Sequence, residues 1–250
     1  MAKKNFLSVV IPTLNEEEYL PNLLSSLVSQ TVKDFEVIVS EGKSIDKTRE
    51  KANEFKDKLD IKIHNSDKRH LAYQRNFGAK KAKGNYLFFL DADFSLEKDF
   101  IEKVYKFLEK KEADFLVPYG HPDRNAFLKA YFVLMNVSSN ASRFIFRKPI
   151  TTVSAAVIKT DLFHRLGGYD ELVKFAEDQE ILQRAHKNKA KIKYFNFGKV
   201  IFSIRRIEKE GFKYFYKNLF AQIHILFLGK INKDFIKHQM GGHEFLKPKS

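Results

Sequence analysis

The first half of the chain alternates short apolar runs with segments whose apolar residues recur at helical spacing. Short apolar runs are typical of buried strands. The pattern predicts strands over residues 7–11, 35–39, 61–64, 86–90 and 115–117, helices over 16–29, 71–81 and 96–111, and a helix to residue 55 capped by Asp46. Strands that alternate with helices form βαβ units, so we expect an α/β fold with a mostly parallel sheet.

In such a sheet the loops that follow successive strands gather at one edge, because the crossover connections are right-handed. Here those loops comprise residues 13–16, 40–46 and 91–93. Ligands of open α/β sheets bind at this edge, beyond the carboxyl ends of the strands. The three loops therefore form the candidate site.

Asp91 and Asp93 flank Ala92 directly after the apolar run from Tyr86 to Leu90. This spacing brings two carboxylates to one spot at the edge of the sheet. Such hard oxygen donors suit Mg²⁺ or Mn²⁺, and Mg²⁺ is usually held by one or two carboxylates together with substrate phosphates. By itself the triplet also fits a solvated turn at a strand end, so its meaning depends on the motifs around it.

Composition limits the kind of protein. At 250 residues the chain can bury one large core, as a single domain or as a domain with an appendage. It contains no cysteine, which excludes disulfides and thiolate metal sites. The start lacks the pattern of a signal peptide, and no uninterrupted apolar segment reaches the roughly 18 residues of a membrane span. We therefore expect a cytoplasmic protein, either free or peripheral on the inner face of the cell membrane.

The positive charge is concentrated near the C-terminus. Of the net charge of +14, residues 184–250 contribute +12, from 16 Lys and Arg against 4 Asp and Glu. A near-neutral body with a basic end suggests an anionic partner, such as a membrane surface, nucleic acid or an acidic substrate. A solvated lysine-rich surface is the alternative for the lysines taken singly.

The second half is less regular. It predicts helices over residues 126–146, 160–166, 178–187 and 212–228 and strands over 153–158, 192–195 and 200–204. We divide the chain into a domain over residues 1–206 and a basic, amphipathic C-terminal extension over 207–250. The helix over 212–228 carries a wide apolar stripe beside Lys213 and Lys217. It fits an interfacial helix on an anionic membrane, or one that packs on the sheet or a dimer partner.

Several short motifs occur in an order and spacing that are similar to one family of enzymes. They lie at residues 8–17, 35–48, 75–79, 82–84, 90–93, 167–171 and 177–180. Together they resemble the family 2 glycosyltransferases, which have the GT-A fold, a Rossmann-like, mostly parallel sheet flanked by helices. The resemblance covers roughly residues 7–206.

The resemblance implies inverting transfer of a sugar from a nucleotide-sugar donor, assisted by Mg²⁺ or Mn²⁺. By that resemblance Asp93 ligates the metal, and Asp91 supports it through ribose or a metal-bound water. Asp178, beside Glu177, is the base that deprotonates the acceptor hydroxyl, a role typically worth ~10²–10⁴-fold in rate. An alternative role for Asp178 is that of a helix N-cap.

The resemblance also assigns donor contacts. Nucleotide recognition falls to Pro12, Thr13, Glu16, Glu41, Arg75 and Asp91, and we expect a UDP-sugar. The chain departs from the family loop at Glu41, Gly42 and Lys43, where the family has Asp, Asp and Gly; we expect Lys43 to point into solvent. Arg205 and Arg206 follow a late strand and suit contact with the diphosphate, or with lipid headgroups.

Alternatives remain open at this point. The acceptor is a carbohydrate hydroxyl, possibly on a lipid-linked glycan at the cytoplasmic face of the membrane, or the phosphate of a polyprenyl lipid. Outside sugar transfer, the basic C-terminal quarter permits a nucleic-acid-binding module, although no helix-turn-helix, zinc-finger or ribonucleoprotein signature supports one. A non-catalytic sensor of nucleotide-sugars is a third possibility, against which the intact Asp91, Asp93 and Asp178 argue.

Overall fold

The computed structural model describes residues 6–173, 175–228 and Ile231. The strands are β1 Leu7–Thr13, β2 Phe35–Glu41, β3 Ile61–Asn65, β4 Tyr86–Phe89, β5 Phe94–Leu96, β6 Phe115–Pro122, β7 Ala156–Lys159 and β8 Ile192–Phe202. The helices are α1 Leu20–Val28, α2 Thr48–Asn53, α3 Leu71–Ala79, α4 Phe100–Lys110, α5 Ala126–Ile145, α6 Thr160–Arg165, α7 Glu177–Lys187, α8 Arg205–Glu210 and α9 Phe212–Phe227.

The strands form one mixed sheet in the order β3-β2-β1-β4-β7-β6-β8-β5. Four of its seven pairings are parallel, and β7 enters antiparallel between β4 and β6. Every residue of β1 and β2 is buried, as parallel strands covered on both faces require. The predicted α/β fold, with a mostly parallel sheet flanked by helices, is confirmed.

Two apolar layers cover the two faces of the sheet. Because successive residues of a strand point to opposite faces, Val9 and Ile11 join one layer while Val10 joins the other. The first layer receives leucines of α1 and the apolar face of α4, and the second receives α6 and α7. This double burial fixes the register of β1, since a slip by one residue would exchange the two faces.

Some predicted boundaries are wrong at the edge that carries the site. The sequence predicts a loop from Pro12, but β1 runs through Thr13, because Pro12 and Thr13 pair in register with the last residues of β2. The helix predicted from Glu16 begins at Leu20, since Glu16 to Tyr19 form a turn.

Other errors arise from long-range pairing. The helix predicted from residue 96 starts at Phe100, because residues 94–96 pair with β8 as the short strand β5. The strands predicted over 192–195 and 200–204 are one strand, β8, which pairs with β6 across an irregularity in register between Pro118 and Gly120. Consequently β6 continues past residue 117, where the predicted strand ends, and runs to Pro122.

The C-terminal helices pack on the rest of the molecule. The predicted domain boundary between residues 206 and 207 falls inside α8. In α9, Tyr214 and Phe215 lie against the main core, while Ala221 and Ile225 pack with Phe175. Residues 229, 230 and 232–250 of the predicted extension lie outside the described residues. Among those described, no helix is both long and apolar enough to cross a bilayer.

The close approach of α3 to the sheet gives a test of this packing. A Cβ at Gly78 would lie 2.5 Å from Ser40 Oγ and 2.6 Å from Val10 Cγ1. Gly78→Ala should therefore lower the free energy of unfolding by about 1–3 kcal/mol, the cost of overpacking a core, although Ala for Gly in an exposed helix stabilises by about 1 kcal/mol. Denaturant titration followed by circular dichroism measures the change. Ser25→Ala on the exposed face of α1 is the control, and a stabilised Gly78→Ala protein would contradict the packing.

Candidate active site

The ends of three neighbouring strands form the candidate site. In the sheet β2, β1 and β4 lie side by side and parallel, and Thr13 pairs with Glu41 where β1 and β2 end. The segment with Asp91 and Asp93 leaves β4 beside them and makes a turn in which the Phe94 N–H donates to the Asp91 carbonyl. The predicted gathering of the three loops at one edge is confirmed.

A cleft of about 150 Å³ opens at this edge. Asp91 and Asp93 line one side, Glu177 and Asp178 at the start of α7 line another, and Arg206 of α8 also contributes. The remaining wall includes side chains that the sequence assigned to the C-terminal extension rather than to the site: Tyr214, Lys217, Asn218 and Gln222 of α9. No sequence pattern predicts that these residues line the cleft, because their position depends on how α9 packs.

Arg75 is the buried centre of the site. Its side chain has no solvent exposure. Its Nη2 donates to Asp91 Oδ1 at 2.7 Å, while its Nη1 donates to Glu177 Oε1 at 2.9 Å and to Asp178 Oδ1 at 3.0 Å. One guanidinium from α3 thus holds carboxylates from the loop after β4 and from α7. Arg75 lies behind these acids, as a residue that positions them, and its predicted contact with the nucleotide stays untested.

Asp178 sits in this buried network. The Tyr169 hydroxyl donates to Asp178 Oδ1 at 2.9 Å, and the Tyr169 ring lies 5.0 Å from the Arg75 guanidinium. Burial raises the pKa of Asp178 to about 7, with Glu177 and Asp91 adding to the rise and Arg75 opposing it. The N-cap of α7 is Ala176 in the left-handed region, so Asp178 is not the helix cap that the alternative assignment would make it.

Tyr169 was part of a predicted motif but had no role of its own there. Burial raises the pKa of its hydroxyl well above the usual range, which keeps the hydroxyl a donor to Asp178. Asn76, next to Arg75, fixes the Tyr169 backbone through one bond to its carbonyl and one from its N–H, at 2.9 and 2.8 Å. The motifs around Arg75 and Tyr169 therefore interlock, and both serve to hold Asp178.

A second arginine organises the other acids. Arg205 Nη2 donates to both carboxylate oxygens of Glu16 at 2.8 Å, and its Nε donates to Asp93 Oδ2 at 3.1 Å. Its guanidinium stacks 3.9 Å from the centre of the Tyr19 ring. Burial raises the pKa of Glu16 to about 7 against the opposing effect of Arg205. Arg205 is thus committed to two predicted site residues, whereas Arg206 is exposed and lines the cleft.

The loop after β2 explains two departures from the family pattern. A Cβ at Gly42 would lie 2.0 Å from Gln74 Nε2, so the Gln74 amide fills the space that a side chain at position 42 would take. Lys43 has φ 61°, the left-handed conformation that glycine adopts most easily, and its side chain is exposed as predicted. Glu41 accepts from the Ser44 and Lys43 N–H groups at 2.6 and 3.2 Å, which shapes the loop.

Some buried polar atoms beside this loop have no hydrogen-bond partner. They are Thr13 Oγ1, Gln74 Oε1 and Arg75 Nε. Buried polar groups are usually paired, so unpaired ones call for a ligand or a water. The cluster lies between the ends of β1 and β2 and the first turns of α3, where the predicted nucleotide-binding residues Pro12, Thr13 and Glu41 also lie.

The acids on the cleft are candidate metal ligands. In the part of the chain that the structure describes, no group of three or more His, Cys, Asp and Glu side chains is arranged to hold a metal ion. Asp91 and Asp93 still supply oxygen donors on the cleft, and one or two carboxylates are what Mg²⁺ usually takes from a protein. The donor set therefore fits Mg²⁺ or Mn²⁺ bound jointly with a phosphate-bearing ligand.

Removing the central cation tests the network. Arg75→Met should lower the free energy of unfolding by about 3–5 kcal/mol, because it leaves buried carboxylates without their counter-ion. Arg165→Met, at an exposed position of α6, should change it by less than about 0.5 kcal/mol. Urea titration of the three proteins at neutral pH gives both values. Equal stability of the two variants would show that the Arg75 network contributes little.

Two solved structures share this fold. The Staphylococcus aureus protein TarS (residues 1–349), crystallised with UDP-GlcNAc, superposes with a TM-score of 0.66 at 22% identity over 80% of this chain and 59% of that chain. The mannosyltransferase PcManGT from Pyrobaculum calidifontis, in complex with GDP-Man and Mn²⁺, superposes with a TM-score of 0.69 at 18% identity over 91% and 64% of the two chains. These likenesses confirm the GT-A fold.

Sequence relatives and a family model identify the enzyme class. A Methanococcus voltae protein named as a dolichyl N-acetyl-α-D-glucosaminyl phosphate 3-β-D-2,3-diacetamido-2,3-dideoxy-β-D-glucuronosyltransferase is 34% identical over 116 residues. The match covers 43% of this chain, and the chain spans only 36% of the length of that relative. The model of the family described as Glycosyl transferase family 2 matches residues 8–152, more than half of the chain, which therefore belongs to the family 2 glycosyltransferases.

Proposed function

We propose that this glycosyltransferase inverts the anomeric centre as it moves a sugar from a nucleotide diphosphate donor to an acceptor hydroxyl. The observation that carries the proposal is that Asp91, Asp93 and Asp178 line one cleft. A single bound donor could then place its diphosphate at Asp91 and Asp93, with its anomeric carbon near an acceptor hydroxyl that Asp178 would deprotonate. The nucleic-acid-binding and sensor alternatives have no comparable observation behind them.

Asp178 is the proposed base. It would take the proton of the acceptor hydroxyl as that oxygen attacks the anomeric carbon and the bond to the diphosphate breaks. A base works best when its pKa is near the working pH, and burial places the pKa of Asp178 at about 7. Arg75 and Tyr169 fix its carboxylate in place, while Glu177 shares the same Arg75 nitrogen and helps to tune it.

Asp93 and Asp91 would hold a divalent metal, Mg²⁺ or Mn²⁺. When bound, such an ion neutralises the charge that develops on the departing diphosphate. The solved mannosyltransferase of similar fold contains Mn²⁺ together with its GDP-sugar, which supports this assignment. Arg206, exposed on the cleft, would meet the diphosphate as well. Arg205 would first have to release Asp93 or Glu16.

The donor is proposed to be a UDP-sugar. TarS, of similar fold, was crystallised with UDP-GlcNAc, whereas the mannosyltransferase holds GDP-Man, so GDP is the alternative. In this chain Glu41 is the last residue of β2, where we expect the nucleobase of the donor to bind. The unpaired Thr13 Oγ1 and Gln74 Oε1 offer further polar contacts to it.

The acceptor is proposed to be a glycan hydroxyl, with a lipid-linked glycan favoured. The Methanococcus voltae relative is named for a dolichyl-linked sugar phosphate. A polyprenyl phosphate is the competing acceptor, and the exposed cation Arg206 on the cleft favours an acceptor that carries phosphate in either form. Action at the cytoplasmic face of the membrane stays a prediction.

Calorimetric titration tests donor class and metal together. We expect UDP to bind in the presence of Mn²⁺, and to lose about tenfold or more in affinity with EDTA or in Asp93→Ala, because the diphosphate loses its counter-ion. Asp57→Ala, at an exposed position outside the cleft, should bind UDP like the unaltered protein. Tighter binding of GDP would reassign the donor, and equal UDP affinity with and without metal would contradict the metal role of Asp93.

The pH dependence of the rate tests Asp178. Because the base must be unprotonated, release of UDP from the donor, with water or an added glycan as acceptor, should fall as pH drops below about 7, the value to which burial raises the pKa of Asp178.

Asp178→Asn should lower the rate by ~10²–10⁴-fold and remove that pH dependence. Asp161→Asn, an exposed acid in the first turn of α6, is the matched control. Full activity of Asp178→Asn would favour the polyprenyl phosphate acceptor, since a phosphate nucleophile is already ionised.

A further inference from the structure

Exposed apolar side chains are concentrated on two helices. Of the seventeen large hydrophobic side chains that are exposed among the described residues, fourteen belong to α5, α9 or the residues that directly end them. Single exposed apolar residues are normal on a protein surface, whereas a contiguous patch marks a contact surface. The concentration on α5 and α9 therefore needs an explanation that the catalytic cleft does not supply.

The exposed face of α5 is a continuous stripe. Its members recur at helical spacing at Phe127, Val133, Leu134, Val137 and Ile145. The opposite face of α5 is buried and partly polar, with Asn136 donating to the Gly120 carbonyl at 2.9 Å. α5 thus buries several of its polar side chains and leaves a stripe of apolar ones exposed to solvent.

The exposed face of α9 repeats the pattern. Phe212, Tyr216, Leu219, Ile223 and Phe227 follow one another at intervals of three or four residues and are all about half or more exposed. The other face holds α9 on the domain through Ala221 and Ile225, and Gln222 reaches the Thr151 carbonyl at 3.4 Å. The exposed stripe is therefore not needed to attach the helix.

The two helices run side by side in the same direction. Near their starts the Tyr131 and Phe215 rings meet edge to face with centres 5.3 Å apart. Near their ends Lys148 Nζ lies 5.8 Å from the centre of the Phe227 ring. Contacts at both ends place the stripes next to each other, and we call the exposed sides of α5 and α9 together the two-helix face.

The two-helix face is positively charged. Residues 124–160 and 211–228 contain no Asp or Glu, but they contain the exposed cations Lys129, Arg147 and Lys213 among others. The nearby acids of α8 are paired, Glu208 with Arg124 and Glu210 with Lys217. Apolar side chains flanked by cations and free of acids are the pattern of helices that lie in the headgroup region of an anionic membrane.

We propose that the two-helix face docks the enzyme on an anionic lipid bilayer, with both stripes in the headgroup region and the cations on lipid phosphates. A second copy of the chain fits less well, because a twofold interface would set the same cations against each other. The docking also fits the cleft, since α9 contributes Tyr214 and Lys217 to its wall. A docked enzyme would thus hold its acceptor side close to the lipid surface.

Vesicle co-sedimentation of the full chain tests the proposal. The protein should bind vesicles that contain phosphatidylglycerol, bind vesicles of phosphatidylcholine alone much more weakly, and lose binding as salt is raised. Leu134→Glu in α5 and Leu219→Glu in α9 should each weaken the binding about tenfold or more, because each replaces a leucine side chain that would insert into the lipid. Leu172→Glu carries the same change at a position 67% exposed, outside both helices, and should bind as the unaltered chain does.

The outcomes separate the alternatives. Leu134 and Leu219 are 63% and 55% exposed, so the variants should fold, which circular dichroism and retained UDP binding verify. No binding to anionic vesicles, or equal loss in Leu172→Glu, would overturn the proposal. The proposal would also be overturned if sedimentation velocity showed dimers that Leu134→Glu dissociates while vesicle binding stays unchanged. In that case a second copy of the chain would cover the two-helix face. Vesicle binding needs neither donor nor acceptor, so its result is independent of the proposed sugar transfer.

Discussion

The site depends on a single buried cation. Arg75, on α3, has no solvent exposure and forms ion pairs with three carboxylates that come from two distant parts of the chain. Without it those acids would repel one another in a place where water cannot screen them. With it, the segment after β4 and the start of α7 are held at fixed distance, so that Asp91 and Asp178 face one cleft. The surrounding packing serves the same end, since Asn76 binds the backbone of Tyr169 and Tyr169 binds Asp178.

The departures of the loop after β2 from the family pattern are compensated locally. Gly42 leaves room for the Gln74 amide, which would lie 2.0 Å from a Cβ at this position, and Lys43 takes a left-handed conformation that costs a side-chain-bearing residue roughly 1–2 kcal/mol. The Glu41 carboxylate accepts hydrogen bonds from the Lys43 and Ser44 N–H groups and holds the loop in this form. Glu41 and Gln74 are therefore coupled to the loop sequence, and neither is readily changed alone.

Local patterns predicted most of the fold but not the contacts that complete the site. The strands β1 to β4 and the helices between them are recognisable because each is a continuous apolar run or a periodic stripe. The strand β5 has three residues and depends on β8, more than a hundred positions away, so no local pattern marks it. The order of the motifs predicted that Asp91, Asp93 and Asp178 belong to one site. The hydrogen bonds from Arg205 to Glu16 and Asp93 were not predicted, because Arg205 lies on a helix, α8, that no sequence pattern indicates. Periodicity also showed that α9 is apolar on much of its surface, without showing which stripe is buried.

The charge balance of the cleft is consistent with the metal proposed to accompany the donor diphosphate. Five carboxylates (Glu16, Asp91, Asp93, Glu177 and Asp178) surround two arginines whose charges they already neutralise. Burial eases the excess of negative charge by raising the pKa of Glu16 and of Asp178 to about 7, and it raises that of Asp91 as well. A diphosphate that entered this field alone would add to the repulsion, whereas a divalent cation on Asp91 and Asp93 would reverse it. Burial is the main cause of the raised pKa of Asp178, and the neighbouring acids that add to it would also favour a cation beside the proposed donor.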